Sequence, residues 1–103
     1  MLFDRSAPVL LVEPRASATR IISDLLLRLG FETIEAVDGS TTALDILHKK
    51  GPRLVIADLH IEPMNALQVL RTVRSDDRLK RTPFIIAAES LSPVEALAFK
   101  HAG

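Results

Sequence analysis

Two acidic residues, each directly after a short apolar run, are the best candidates in this sequence for chemistry. Glu13 follows the apolar residues 9–12, and Asp58 follows residues 54–57. Paired carboxylates that are open to solvent suit a hard divalent cation such as Mg²⁺, which prefers oxygen ligands. A carboxylate beside such an ion can also attack phosphorus and form an acyl phosphate. The alternative is that two unrelated acids end two strands in water, and spacing alone does not separate these interpretations.

The strands that must position these acids are visible as short apolar runs. Continuous runs at residues 8–12, 54–57 and 84–88 predict three strands that are buried on both faces. Residues 31–36 alternate between apolar and polar side chains, which is typical of a half-exposed edge strand. An Asp-Gly pair at residues 38–39 then indicates a turn.

Between the strands, apolar residues recur at helical spacing. They predict a first helix with a stripe of Ile21, Ile22, Leu25, Leu26 and Leu29, a second with Ala43, Leu44 and Leu47, and a third with Ala66, Leu67, Leu70 and Val73. Ser17 and Thr19 are candidate caps of the first helix. Asn65 and Gln68 predict a capping box at the start of the third helix, and residues 92–95 predict the start of a fourth.

Strands that alternate with helices, and that are apolar on both faces, predict an α/β fold with a parallel sheet between two layers of helices. In such sheets the functional crevice lies at the carboxyl ends of the strands. Residues 13–15, 58–60 and 88–90, each at the end of a predicted strand, are therefore expected at one edge of the molecule. A small flavoprotein of the same architecture is disfavoured, because no glycine-rich phosphate-binding loop follows the first strand.

The composition fits one small domain. The chain has 103 residues, of which 48% are hydrophobic, and this is enough for a single core. Its 13 basic and 13 acidic residues balance, so nothing indicates electrostatic binding to nucleic acid or to an anionic membrane. The lack of cysteine excludes disulfides, zinc thiolate sites and thiol nucleophiles. No apolar run reaches membrane-spanning length, and we expect a cytoplasmic protein.

Six segments resemble, in the same order, the receiver domains of response regulators of the chemotaxis-regulator type. They are VLLVE at 9–13, EAVDG at 35–39, LVIADL at 54–59, PMNAL at 63–67, TPFIIAA at 82–88 and FKHAG at 99–103. The resemblance implies a flavodoxin-like three-layer α/β/α fold with a parallel sheet in the order 2-1-3-4-5. It also implies a signalling switch, not an enzyme, in which Asp58 accepts a phosphoryl group from a histidine kinase or a phosphotransfer protein. Mg²⁺ would be held by Glu13, Asp58 and the backbone carbonyl of His60.

The sequence departs from the family pattern around this site. The family usually has two adjacent acids after the first strand, whereas Glu13 is followed here by Pro14, which has neither charge nor N–H. Ala88 stands where the family has a phosphate-binding hydroxyl residue, Ser90 comes two positions late, and Lys100 does not match the family's phosphate-binding lysine. These departures predict weak Mg²⁺ binding. They also leave an alternative open, a pseudo-receiver that serves as a phosphorylation-independent protein-interaction module.

The resemblance also concerns the end of the chain. We expect the family's fifth strand and last helix to be missing, so that residues 1–103 form a single, C-terminally incomplete receiver domain. The fourth strand, apolar from residue 84 to residue 88, would then be uncovered on one face. Because uncovered apolar edges invite pairing, we expect either a homodimer through the fourth strand and its exposed face or a native continuation that supplies the missing elements.

Overall fold

Strands and helices alternate strictly through the described part of the chain, which is residues 6–88 and 101–103 of a computed structural model. The elements are β1 (Val9–Val12), α1 (Ala16–Arg28), β2 (Ile34–Val37), α2 (Ser40–Lys50), β3 (Leu54–Asp58), α3 (Ala66–Ser75) and β4 (Phe84–Ala87). Residues 101 and 102 are also helical. Within the described ranges, no helix combines the length and the apolar character needed to cross a membrane.

The strands form one sheet in the order β2-β1-β3-β4, and each neighbouring pair is parallel. This order confirms the prediction for the first four strands. β1 and β3 are therefore the central strands, and all four residues of β1 are buried. A strand that is buried on both faces needs apolar side chains at every position, and this explains the continuous apolar sequence of β1.

Helices cover both faces of this sheet, so the fold is the predicted three-layer α/β/α arrangement. α2 and α3 pack on one face, where the buried strand residues are Leu10, Val12, Val55 and Ala57. α1 packs on the other face, against Val9 and Leu54. Successive strand residues point to opposite faces, and the two core clusters divide the residues of β1 accordingly.

The packing of α1 corrects one prediction. Of its apolar stripe, Leu26 is buried and Ile22 packs against the core of that layer. Ile21, Leu25 and Leu29 are instead 69%, 54% and 51% exposed. Helical periodicity shows which side of a helix is apolar, but it does not show whether another element covers that side.

The prediction for the start of α1 is wrong, and the prediction for the start of α3 is confirmed. Ser17 and Thr19 lie inside α1 and do not cap it, because Arg15 occupies the N-cap position and no side chain caps the helix there. Asn65 and Gln68 form the predicted capping box at the start of α3, with reciprocal hydrogen bonds of 2.9 and 2.8 Å. The predicted start of a fourth helix at residues 92–95 lies outside the described residues.

Among the described residues, β4 is packed against the core on one face only. Phe84 and Ile86 pack against the core on the α2–α3 side, whereas Ala87 is exposed and Ile85 is 43% exposed. Ile85 is the parallel partner of Ile56, which packs in the α1 layer. The α1 side of β4 is thus the more exposed one in the described part of the chain, and the C-terminal incompleteness of the domain stays a prediction.

Candidate functional site

The two acids come together at the carboxyl edge of the sheet. β1 and β3 are adjacent and parallel, with Val12 paired to Ala57, so Glu13 and Asp58 occupy the next step on neighbouring strands. The Glu13 side chain is only 3% exposed and that of Asp58 is 17% exposed. The juxtaposition predicted from the two apolar runs is confirmed.

A third residue, Arg15, joins these two carboxylates. Its Nη2 lies 3.0 Å from Glu13 Oε1 and 3.8 Å from Asp58 Oδ1. Its Nε lies 3.5 Å from Glu13 Oε2, and its backbone N–H donates to the same oxygen at 2.9 Å. The sequence analysis expected Arg15 at this edge of the sheet but gave its side chain no role in the site.

The loop that carries Arg15 is held by the start of α1. Thr19 Oγ1 donates to the Arg15 carbonyl at 3.1 Å and lies 3.4 Å from the Glu13 carbonyl. Thr19 was predicted as a cap, and it instead binds the main chain of the loop between β1 and α1. These contacts hold the main chain of Arg15 in place, so that its side chain starts close to the sheet edge.

Opposing effects set the pKa of Glu13. Burial raises the pKa of this carboxyl, because desolvation penalises the charged form. The hydrogen bonds from the guanidinium and the backbone N–H of Arg15, together with its positive charge, lower it. The lowering effects prevail, so the pKa of Glu13 is below its ordinary value and the residue is an anion at neutral pH.

Asp58 is oriented by the loop that follows it. The backbone N–H of His60 donates to Asp58 Oδ2 at 3.0 Å, which fixes one carboxylate oxygen and leaves Oδ1 toward Arg15. The His60 side chain is exposed, while the flanking residues Leu59 and Ile61 are buried. Two buried anchors therefore hold His60 and its backbone at the rim of the site.

The start of α2 holds the far end of the same loop. The backbone N–H of Ser40 donates to the Glu62 carbonyl at 3.0 Å, and the N–H of Met64 donates to Ser40 Oγ at 2.9 Å. A Cβ atom at Gly39 would lie 2.8 Å from the Glu62 carbonyl oxygen, so this close approach requires glycine. Ser40 is fully buried, and the loop after Asp58 is thereby tied to the rest of the fold.

The donor set for a metal ion is small. Among the described residues, no group of three or more His, Asp or Glu side chains is arranged to hold a metal. Glu13 and Asp58 supply carboxylate oxygens of the kind that Mg²⁺ prefers, and the loop after β3 brings the backbone of His60 to the same edge. Pro14 is exposed and offers no ligand. The residues fit a divalent cation with few protein ligands once the Arg15 guanidinium has moved away from the two carboxylates.

Ala88, the residue that departs from the family's hydroxyl pattern, lies directly after β4. Asp58 is the parallel partner of Ala87, so the next residue, Ala88, lies at the same edge and is exposed. The Ala88 side chain therefore offers only a methyl group at the position where family members have a hydroxyl. Ser90 and Lys100 lie outside the described residues.

An open groove adjoins Glu13. It has a volume of about 630 Å³ and runs between the loop after β1 and the start of α2, with Glu13, Arg20, Asp38 and Thr42 among its lining residues. Of the two carboxylates, Glu13 is the one that lines this groove.

Comparison with known proteins agrees with this geometry. The family model of the response regulator receiver domain matches residues 9–103. The chain belongs to this family. The chemotaxis protein CheY of Pseudomonas aeruginosa is 32% identical over 95 residues, which are 92% of this chain and 77% of that protein. Membership confirms the resemblance seen in the sequence.

Solved receiver structures share the fold. The phosphorylated cyanobacterial phytochrome response regulator RcpA has a TM-score of 0.85 and 21% identity, covering 94% of this chain and 75% of that chain. The receiver domain of sensor histidine kinase PA1611 from Pseudomonas aeruginosa, with a magnesium ion coordinated in its active-site cleft, has a TM-score of 0.81 and 18% identity. This match covers 95% of our receiver and 80% of PA1611's receiver chain. At these identities both likenesses show the flavodoxin-like fold, and they confirm the predicted fold class.

Proposed function

We propose that this receiver domain accepts a phosphoryl group on Asp58 from a histidine kinase or a phosphotransfer protein, and that the change switches its interactions with partners. The observation that carries the proposal is the placement of Asp58 at the end of a central strand, beside the buried anion Glu13 and open to solvent on one side. The phosphorylated state of a structural neighbour, RcpA, supports it. The domain would act as a switch and not as an enzyme.

The transfer itself needs little beyond a positioned carboxylate. The bond between phosphorus and the donor's histidine nitrogen breaks as an Asp58 oxygen forms its bond to phosphorus, and the departing imidazole keeps the electron pair. The His60 N–H orients the Asp58 carboxylate for this attack. Mg²⁺, when bound, offsets charge on the phosphoryl oxygens. Glu13, Asp58 and the His60 carbonyl would hold it, weakly, because Pro14 adds no ligand.

Intact-mass measurement after incubation with acetyl phosphate and Mg²⁺ tests this proposal. The wild-type chain should gain one phosphoryl group and Asp58→Asn should gain none. Asp38→Asn is a matched control, because Asp38 directly follows β2 at the same edge of the sheet and is exposed. Uptake by Asp58→Asn, or its loss in Asp38→Asn alone, would show that the acceptor is misassigned.

The pseudo-receiver remains the second candidate, and two observations favour it. Arg15 already offsets part of the negative charge of the carboxylate pair, and Ala88 provides no hydroxyl at the edge where a phosphoryl group would lie. On this alternative the fold serves only to bind a protein partner. A wild-type chain that takes up no phosphoryl group, but that still binds its partner, would establish it.

We further propose that copies of the chain associate through the side of the sheet that carries α1. Ile21, Leu25 and Leu29 on α1 and Ile85 on β4 are exposed on that side, and their contact with a second copy would remove apolar surface from water. The cytoplasmic location and the lack of nucleic-acid binding stay predictions from the sequence.

A further inference from the structure

The guanidinium of Arg15 lies where positive charge is needed at the carboxylate pair. One nitrogen, Nη2, is 3.0 Å from a Glu13 oxygen and 3.8 Å from an Asp58 oxygen. Two neighbouring carboxylates of which one is almost fully buried repel each other, and this cation reduces the repulsion. Arg15 thus supplies from within the chain part of the charge that a metal ion would supply.

The guanidinium and a metal ion would compete for the same carboxylate oxygens. A Mg²⁺ ion binds carboxylate oxygens at about 2.0–2.1 Å and demands a nearly octahedral arrangement of ligands. Glu13 Oε1 and Asp58 Oδ1 are directed at the guanidinium in this structure. A metal ion that used these oxygens would meet the positive charge of Arg15 at short range, and this repulsion favours movement of the guanidinium away from them.

The position of Arg15 allows that movement. Its side chain is 59% exposed, so it can turn into solvent without disturbing the core. Its backbone N–H would still donate to Glu13 Oε2, which keeps the carboxylate oriented after the guanidinium has left. The main-chain contact and the side-chain contact therefore have separable roles, orientation for the first and charge for the second.

We propose that Arg15 is a built-in counter-cation that competes with the divalent metal ion for Glu13 and Asp58, and that metal binding displaces its guanidinium. The proposal rests on the proposed function only in taking these two acids as the metal ligands. Loss of the competitor should tighten metal binding by about fivefold, the upper range for an ion pair with this exposure.

Titration calorimetry with Mg²⁺ and with Mn²⁺, in the absence of any phosphodonor, tests the proposal on the full chain. Arg15→Gln should bind both ions about fivefold more tightly than the wild type. Arg15→Lys, which keeps the charge but loses the forked contact, should fall between them. Arg20→Gln is the matched control, since it removes the same charge from the adjoining groove and the structure records no Arg20 contact with either carboxylate among the described residues.

A second readout follows the guanidinium itself. The Nε–H resonance of Arg15 in a nitrogen-15 correlation spectrum should shift as Mg²⁺ is added, and the Arg20 resonance should not. Unchanged or weaker metal binding by Arg15→Gln, equal tightening by Arg20→Gln, or an Arg15 resonance indifferent to the metal would each overturn the proposal. Because no phosphodonor is present, such a failure is distinct from a failure of Asp58 to accept phosphate.

Discussion

Thr82 is a residue whose replacement should stabilise this protein. It is fully buried, and its Oγ1 has no hydrogen-bond partner in the part of the chain that the structure describes. Its main-chain groups are satisfied, because its N–H donates to the Leu79 carbonyl at 2.9 Å and its carbonyl accepts from Arg74 Nη1 at 2.8 Å. The hydroxyl is therefore the only unmet polar group of this residue, and Thr82→Val removes that group alone.

The size of the effect follows from the burial. A buried polar group without a partner costs about 1–3 kcal/mol, and a methyl group of similar size in its place is compatible with the site. Valine has the same β-branched shape, so the side-chain entropy lost on folding is nearly unchanged. We expect a gain of about 1 kcal/mol in the free energy of unfolding at the midpoint temperature, which in a domain of this size raises Tm by roughly 4–8 °C.

Urea denaturation and thermal melts followed by circular dichroism would measure this gain. Thr72→Val is the matched control, because the Thr72 hydroxyl lies on α3 and donates to the Gln68 carbonyl at 2.9 Å. That control should change the free energy of unfolding by no more than about 0.5 kcal/mol. A Thr82→Val variant less stable than the wild type would refute the reasoning, since it would mean that the hydroxyl makes a favourable contact in solution.

Two further predictions concern charge and exposed apolar surface. Because the folded-state pKa of Glu13 is lowered, its stabilisation should be fully present above the ordinary glutamate pKa and should be lost as pH falls through the lowered value. Glu13→Gln should flatten that acid limb in urea denaturation series, and an unaltered limb would contradict the assignment. If copies associate through the α1 side of the sheet, Leu25→Glu should reduce light scattering at high concentration. Leu27→Glu, equally exposed on the opposite side of the helix, should not, and equal effects would exclude this surface.

The fold was predictable because local and global signals agree. The runs at residues 9–12 and 54–57 are apolar at every position, and the structure makes them the two central strands. The capping box of Asn65 and Gln68 fixed the start of α3 to the residue, since both partners are encoded three positions apart. The register of β1 and β3 then brings Glu13 and Asp58 together without further information.

Other features depend on information that periodicity lacks. The exposure of Leu25 and Leu29 depends on which elements lie over α1, and a hydrophobic stripe does not contain that information. The start of α1 was misplaced because Arg15, with no capping side chain, occupies the N-cap. Ser17 and Thr19 are preferred N-cap residue types, but the contacts of the loop before α1 place the N-cap at Arg15 instead.

The role of Arg15 shows how the departures from the family pattern act together. Pro14 removes one carboxylate from the loop after β1, and Arg15 adds a positive charge one position later. Both changes make the edge less negative, so both weaken the attraction for a divalent cation. Judged separately, Pro14 is a lost ligand and Arg15 an exposed basic residue. The structure connects them, because the guanidinium turns back onto Glu13 and lies near Asp58. Part of the negative charge that a metal ion would otherwise offset is therefore already balanced by Arg15.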